Sequence, residues 1–518
     1  MNLETRFDRT VGGMLLQHLE DRGARVALRA DGEVRTWQEL ADEVARVVSW
    51  LDAREVPPGG HVSLLLPNGI DWAVWALATG LSGRTVVPAN TRLRADELRY
   101  QLWQSDSRVL VVPGEDAAHL LDTVELARQP GEQASAPDLQ TIVAVGETER
   151  PWTTPYVAPT PAELRDRAHP DDVALIQYTS GTTAFPKGAM LSHAAILQDA
   201  AGVAGRLRLT EEDRYFSPSP FFHSAGSTLL LYLGLVTGLP VTTTSAFDPE
   251  RALEVIEQEG ITVYGGIDAL WVNLLHADGF DQRRVASLRK GWIAATGELF
   301  DRVAETAQLD GLVNLYGLSE ASPNVTIADV AGDADHRRTC GQPHSGFEVR
   351  IVDPTSREPL ATGTSGEIEL RGPCVMLGYY AKPEETAEMI DEDGWLRTGD
   401  RGSLRDDGCL TYEGRYKHML RVGGENVAAA EIETVLLDHP DLAMAAVIGA
   451  PHDRLGEVPV AAVVLKSGRH IAPEELVAFA EAKLAGFKVP RRIEVMEELP
   501  VTGSGRVQKF ELERLLLG

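Results

Sequence analysis

Cysteine is scarce: Cys340, Cys374 and Cys409 are the only three in 518 residues, and they lie far apart. Such spacing gives no metal-ligand pattern and no obvious disulfide pairing, so free thiols in a reducing compartment are expected. Long apolar runs are also missing. No window of 18 apolar residues occurs, so no membrane-spanning helix is predicted. The opening stretch, "MNLETRFDRTVGGMLLQHLEDRG", carries charges throughout and lacks the apolar centre of a signal peptide. A cytoplasmic protein is therefore expected. Basic residues are outnumbered, 49 Lys+Arg against 77 Asp+Glu, for a formal net charge of −28. That surface repels phosphate backbones and argues against nucleic acid as a partner. A locally basic pocket for a small anion stays compatible with it.

What is present is ordinary for a soluble globular chain, 43% hydrophobic and 24% charged, and long enough for several domains. "HVSLLLPNG", "DWAVWALATGLSG" and "RTVVPAN" read as strand, helix and strand, and "DELRYQLWQSDS" with "RVLVVPG" repeats the alternation. This order predicts an α/β fold of largely parallel sheets covered by helices. The Pro-, Glu- and Thr-rich stretch from Gly114 to Pro170 reads as a long surface connection. From about residue 340 to 413 the pattern turns to short strands and Gly-rich turns, a β-rich subdomain. After a boundary at Gly414–His418, residues 419–518 read as a small α+β domain. Its predicted elements are helix Ala429–Leu437, strands Ala443–Ala450 and Val458–Leu465, helix Glu474–Leu484, strand Ile493–Glu497 and a last helix in "KFELERLLLG".

One stretch stands out for chemistry. "QYTSGTTAFPKGAMLSH" (Gln177–His193) follows a predicted strand and crowds hydroxyls, glycines and a lysine together. Bare amides, hydroxyls and the Lys187 ammonium suit phosphate oxygens. No Walker loop is present. Four further segments accompany it in order: "PFFHSAG" (Pro220–Gly226), "LVNLYGLSEAS", "GWLRTGD" (Gly394–Asp400) and "GRYKHMLRVGGENVAAAEIE". Together with the ending "LPVTGSGRVQKFEL", they resemble the adenylate-forming superfamily of acyl-CoA ligases, peptide-synthetase adenylation domains and firefly-type luciferases, over nearly the whole chain.

The resemblance implies ATP, Mg²⁺ and CoA, and two half-reactions. A carboxylic acid and ATP give acyl-AMP and pyrophosphate, and a thiol then displaces AMP. On that basis Thr179, Ser180, Gly181, Thr182, Thr183 and Lys187 would cradle the phosphates. Glu320 would hold Mg²⁺, as suits a hard cation, and Ser319 would touch the α-phosphate. Asp400, assisted by Arg415, would bind the ribose hydroxyls, and adenine would pack near Ala294–Gly297, including Thr296, and Tyr316. His223 would line the passage between acyl and thiol sites. Lys417 would be the hinge of a rotating C-terminal domain, and Gly423 and Gly424 would flank the pantetheine arm. The acyl pocket would involve Phe222, Tyr264, Gly265, Gly266, Trp292 and Gly317. The two adjacent glycines of "VYGGID" suggest room for a large cyclic or polycyclic acid. A homodimer would be in keeping with the family.

Three departures cluster on phosphate and adenylate handling. Ala184 replaces a common glycine, restricting how closely the backbone can approach a phosphate. "RKGWIAATGE" stands where G-G-A-P is usual. Most telling, Arg506 occupies the place of the lysine that contacts both substrate carboxylate and α-phosphate, with Lys509 at a second basic position. Arginine keeps the charge but brings a wide planar fork. The sequence therefore raises the expectation of a ligase that forms thioesters from acyl-AMP, supplied by a partner ligase, with adenylation impaired or lost. The alternatives are an ordinary two-step synthetase, in which Arg506 works less well or Lys509 reaches in, and an enzyme loading a carrier protein, which the absence of a fused carrier domain after Gly518 weakens. A luciferase-like oxygenase and a nucleotide-binding protein without turnover complete the set.

Overall fold

In the computed structural model, residues 7–129, 139–179, 186–295, 297–416, 419–422, 425–452, 455–484, 486–501 and 507–517 are described. They fall into two compact units. One comprises Met1–Val349, Glu369–Arg397 and Asp406–Leu410, and the other Arg350–Ile368, Thr398–Arg405 and Thr411–Gly518.

The larger unit is α/β. Its seven-stranded sheet runs in the order Thr154–Pro155, Thr141–Val145, Ser107–Pro113, His61–Leu64, Thr85–Pro88, Val173–Thr179, Lys187–Ser192. The pairings are parallel except the last. Helices Ile70–Leu81 and Ala95–Gln104 supply crossovers where the alternation predicted them. A nine-stranded sheet runs from Gln342–Pro343 through Thr326–Ile327, Leu312–Tyr316, Lys290–Ile293, Val263–Gly265, Tyr215–Phe216, Val241–Thr243 and Val26–Ala30 to Glu33–Thr36. Its centre is parallel and its edges are antiparallel.

The stretch from Gly114 to Pro170 is not a bare connection. Helix Ala118–Ala127 buries Leu120, Leu121 and Val124, and strand Thr141–Val145 extends the seven-stranded sheet. The short apolar run "TIVAV" sits among so many Pro and Glu residues that composition concealed it.

In the smaller unit, strands Met419–Val422, Glu425–Ala428, Leu442–His452, Gly456–Leu465 and Arg492–Met496 form one sheet. Helices Ala429–Leu437 and Pro473–Glu481 pack on it through Ile432, Leu436, Leu476 and Ala480. Residues of a further four-stranded sheet, in the order Glu348–Val352, Gly366–Arg371, Leu396–Leu404, Leu410–Arg415, are assigned to both units.

One buried histidine makes the larger unit acid-sensitive. His193 opens helix His193–Arg206, is fully buried, and accepts the Val11 N–H at Nδ1 (3.3 Å). Burial, only partly opposed by Asp172, pulls its pKa down to about 4 from 6.5. A positive charge at a helix N-terminus is unfavourable as well. The unfolded chain binds this proton below pH 6.5 and the folded chain only near pH 4. Stability is therefore complete above 6.5 and falls as pH drops through that window, by roughly 3 kcal/mol. His193→Asn should flatten the dependence, as read from urea midpoints between pH 4 and 8.

Candidate active site

The donor-rich stretch is a hairpin. Strand Val173–Thr179 buries Ala174, Leu175 and Ile176 and pairs antiparallel with Lys187–Ser192, so that Thr179 lies opposite Lys187. A Cβ on Gly188 would lie 2.5 Å from Ile176 Cγ2, so a glycine is needed for the two strands to close. Ser180, Gly181, Thr182, Thr183 and Ala184 lie outside the described residues.

Glu320 is drawn to this hairpin. It sits in the short 3-10 turn Ser319–Ala321, between strands Leu312–Tyr316 and Thr326–Ile327. Its Oε1 accepts the Thr179 hydroxyl (3.3 Å) and the Tyr379 hydroxyl (2.9 Å). The Lys187 ammonium stands 5.2 Å from the centroid of the same Tyr379 ring, a cation–π distance. Tyr379 thus joins the Thr179–Lys187 hairpin to the Glu320 turn. It was not anticipated, because "LGYY" carries no spacing signal and the link exists only in three dimensions. The Ser319 hydroxyl lies 3.4 Å from that of Ser224, so the segment after His223 reaches the same place. Gln177 donates to the Phe222 carbonyl (2.9 Å), and Asn68 accepts the Phe221 N–H (2.6 Å), fixing that segment against the hairpin. Phe222 is buried with its ring 4.8 Å from that of His223, which is half-buried.

The proposed adenine wall is also anchored. Asn314 accepts the Ala295 N–H (3.1 Å) and donates to the Ala295 carbonyl (2.9 Å), an unanticipated residue that ties two neighbouring strand ends together. Tyr316 is 5% exposed at the end of its strand. Thr296 lies outside the described residues.

The acyl-pocket expectations need correction on one point. Gly265 does not leave room. A Cβ there would lie 2.2 Å from the Trp292 indole nitrogen and 2.7 Å from the Tyr215 hydroxyl. The Trp292 ring already fills that space, 1% exposed, and donates to Tyr215 (2.6 Å). Gly266 packs against Leu270. Tyr264 is fully buried in the helix-covered core, edge-on to Trp271 at 4.7 Å. At Gly317 a Cβ would meet the Pro323 carbonyl at 1.9 Å, so this glycine closes the Glu320 loop. Adjacent glycines in sequence do not show which face of a strand is filled. The glycine argument for a large acid has no geometric basis here.

In the smaller unit, Asp400 is 2% exposed and its Oδ1 accepts Arg415 Nε (2.8 Å). The Asp400 N–H donates to Thr398 Oγ1 (3.0 Å), which itself donates to the Ile368 carbonyl (2.7 Å), so the backbone at Asp400 is held in place. Lys509 opens helix Lys509–Leu517 and is already engaged. Its ammonium pairs with Glu433 (2.6 Å) and donates to the Val447 carbonyl (3.0 Å). Arg506, Lys417, Gly423 and Gly424 lie outside the described residues.

Among the described residues, one trio of side chains, His336, Asp407 and Cys409, is close enough to suggest a metal. The His336 ring argues otherwise. Nε2 accepts the Asp329 N–H (3.0 Å), so Nδ1 carries the proton and points at Cys409 Sγ (3.4 Å). No described helix is long and apolar enough to cross a membrane.

Comparison with known proteins agrees with this arrangement. The AMP-binding enzyme family matches residues 15–380, and its C-terminal domain family matches residues 431–506. A feruloyl-CoA synthase of an Amycolatopsis species is 35% identical over 494 residues, covering 94% of this chain and 95% of that protein. A methyl-dioxo-octahydroindenyl-propanoyl:CoA ligase of Rhodococcus jostii is 36% identical over 501 residues, covering 93% and 94%. The crystal structure of the anthranilate CoA ligase AuaEII with anthranoyl-AMP superposes with a TM-score of 0.87 at 25% identity, covering 99% of both chains. On these matches, the chain belongs to the AMP-binding enzyme family and is an acid–thiol ligase of the acyl-CoA synthetase type.

Proposed function

We propose that this ligase forms acyl-CoA from an acyl-adenylate and CoA, and that its ATP-dependent adenylation is impaired or lost. The CoA sulfur forms a bond to the acyl carbonyl carbon, and the carbon–oxygen bond to phosphate breaks. AMP leaves with the electron pair, and the thiol proton passes to solvent. The observation that carries the reading is Arg506 in "TGSGRVQK", at the place of the adenylating lysine. The engagement of Lys509 by Glu433 and the Val447 carbonyl supports it, because a lysine so held is poorly placed to substitute. A separate ligase would then supply the adenylate. A second reading, an ordinary two-step synthetase, is favoured by the relatives, which are named as CoA ligases and synthases without such a restriction.

Under either reading Thr179 and Lys187 meet the nucleotide phosphates and Asp400 with Arg415 meets the ribose. Glu320 fits Mg²⁺, a hard cation that takes one or two carboxylates plus phosphate and water oxygens. The metal would neutralise charge on the phosphates. The feruloyl, octahydroindenyl and anthranoyl groups in the relatives' names support a cyclic acid.

The test supplies a synthetic acyl-AMP with CoA, and separately the free acid with ATP, Mg²⁺ and CoA. Thioester is expected from the adenylate at a rate about 10²-fold above that from acid and ATP. Equal rates would leave the ordinary synthetase, and no thioester from either mixture would leave a binding protein.

A further inference from the structure

The loop that carries Ser319 and Glu320 is held on its far arm by a buried ion pair. Asp199, within helix His193–Arg206, has 0% of its side chain exposed, and His344, just beyond strand Gln342–Pro343, has 1%. His344 Nε2 lies 2.8 Å from Asp199 Oδ1 and 2.7 Å from the Asn324 carbonyl, and Nδ1 lies 3.1 Å from the Ser345 carbonyl. These partners of the two ring nitrogens are all acceptors, so the imidazole is doubly protonated and charged. Asp199 Oδ2 accepts the Asn324 N–H (3.2 Å).

The pair therefore grips both backbone groups of a single residue. Asn324's own side-chain amide has no hydrogen-bond partner among the described residues, so the grip acts through the main chain. Helix His193–Arg206 makes space for it with Gly202, where a Cβ would lie 2.6 Å from His344 Nδ1. Burial alone would discharge His344, but the Asp199 carboxylate first, and then the carbonyls, hold its pKa above the ordinary imidazole value. Burial pushes the Asp199 carboxyl up, and His344 and the Asn324 N–H pull it back down.

A buried ion pair is a poor stabiliser, because desolvating two charges costs about as much as their attraction returns. Its distinctive property is geometric. From Asn324 the chain runs back through Ser322, whose hydroxyl donates to the Cys374 carbonyl (2.8 Å), to Glu320, whose carbonyl accepts the Met376 N–H (2.8 Å). Helix His193–Arg206 itself follows directly on the phosphate hairpin. The ion pair is thus a strut between the hairpin's helix and the Glu320 loop.

We propose that Asp199 and His344 are positioning residues that set the register of Glu320 against the phosphate hairpin, and so the enzyme's use of magnesium-bound nucleotide. This rests on the reading that Glu320 takes Mg²⁺. Orienting partners of a metal ligand typically affect metal affinity about 10-fold or more.

The experiment measures ATP binding to the full-length protein by calorimetry across a Mg²⁺ titration. In Asp199→Asn an amide NH₂ must face either the His344 Nε2–H or the Asn324 N–H, which breaks the two-sided grip. The half-saturating Mg²⁺ concentration is expected to rise about tenfold, with affinity for metal-free ATP within about twofold of wild type. The double variant Asp199→Ala/His344→Leu removes the unpaired charge, so its melting temperature should return towards wild type while the Mg²⁺ requirement stays high. A role in stability alone predicts that both recover together, and that outcome overturns the proposal. Glu320→Gln separates the two levels. If it raises the Mg²⁺ requirement and the ion-pair variants do not, positioning alone is wrong. If Glu320→Gln leaves the requirement unchanged, the metal reading falls and the proposal falls with it.

Discussion

Arg506→Lys is expected to raise ATP–pyrophosphate exchange about a hundredfold across a panel of cyclic carboxylic acids. The guanidinium is planar, with five donors in a fixed fork, whereas the ammonium is a compact charge on a flexible stem. A group that must meet a carboxylate and an α-phosphate at once works by position, and a misplacement of about 1 Å costs roughly 10²-fold. On the proposed reading, lysine at 506 would restore the geometry that the first half-reaction needs. Thioester formation from acyl-AMP should change little, because in the two-step scheme that lysine acts in adenylation. Ala184→Gly, in the loop after Thr179, should add a smaller gain by letting the backbone approach phosphate more closely. Exchange by the unaltered protein at the variant's rate would mean that arginine performs the first half-reaction.

Asp400→Asn is expected to weaken adenylate binding by about 10- to 10²-fold. Asp400 is buried, its backbone is held through Thr398, and its carboxylate accepts from Arg415. In the proposed ribose-binding role, the substitution would replace a carboxylate able to accept from two hydroxyls by a group with one acceptor oxygen. Hydrogen bonds to charged groups contribute about 1.5–3 kcal/mol, and 1.4 kcal/mol is tenfold in affinity. The variant also leaves the Arg415 guanidinium facing a neutral amide. Competition between acyl-AMP and a non-hydrolysable sulfamoyl analogue would measure the loss. Affinity equal to wild type would remove Asp400 from the nucleotide site.

The elements that could be read from sequence were those with a local signature. Helix Ala429–Leu437 was expected at the bounds at which it occurs, since its apolar positions recur with helical period. The helix expected at Glu474–Leu484 runs from Pro473 to Glu481; proline at the first helical position sets its start. The donor-rich loop after Thr179 was legible because hydroxyls, glycine and charge occur in a fixed order, but its closure on strand Lys187–Ser192 was not. Tyr379 and Asn314 were not, because each acts by touching a residue far away in the chain. Gly265 was misjudged for the same reason: what occupies its bare face is Trp292, from another strand. The strand in "TIVAV" was hidden by its polar surroundings. The Asp199–His344 pair had no pattern at all, being one acid and one histidine 145 positions apart.

The indole that fills the face of Gly265 also orders the chain's evolution. While Trp292 is present, any side chain at 265 collides with it, and Tyr215 is committed to its N–H. Residues in contact in this way do not change independently. A side chain at 265 therefore requires change at both Trp292 and Tyr215 beforehand, because the Tyr215 hydroxyl lies 2.7 Å from the same Cβ position. The reverse order passes through an overpacked intermediate that costs about 1–3 kcal/mol. Of these three positions, 265 is therefore the one expected to change last.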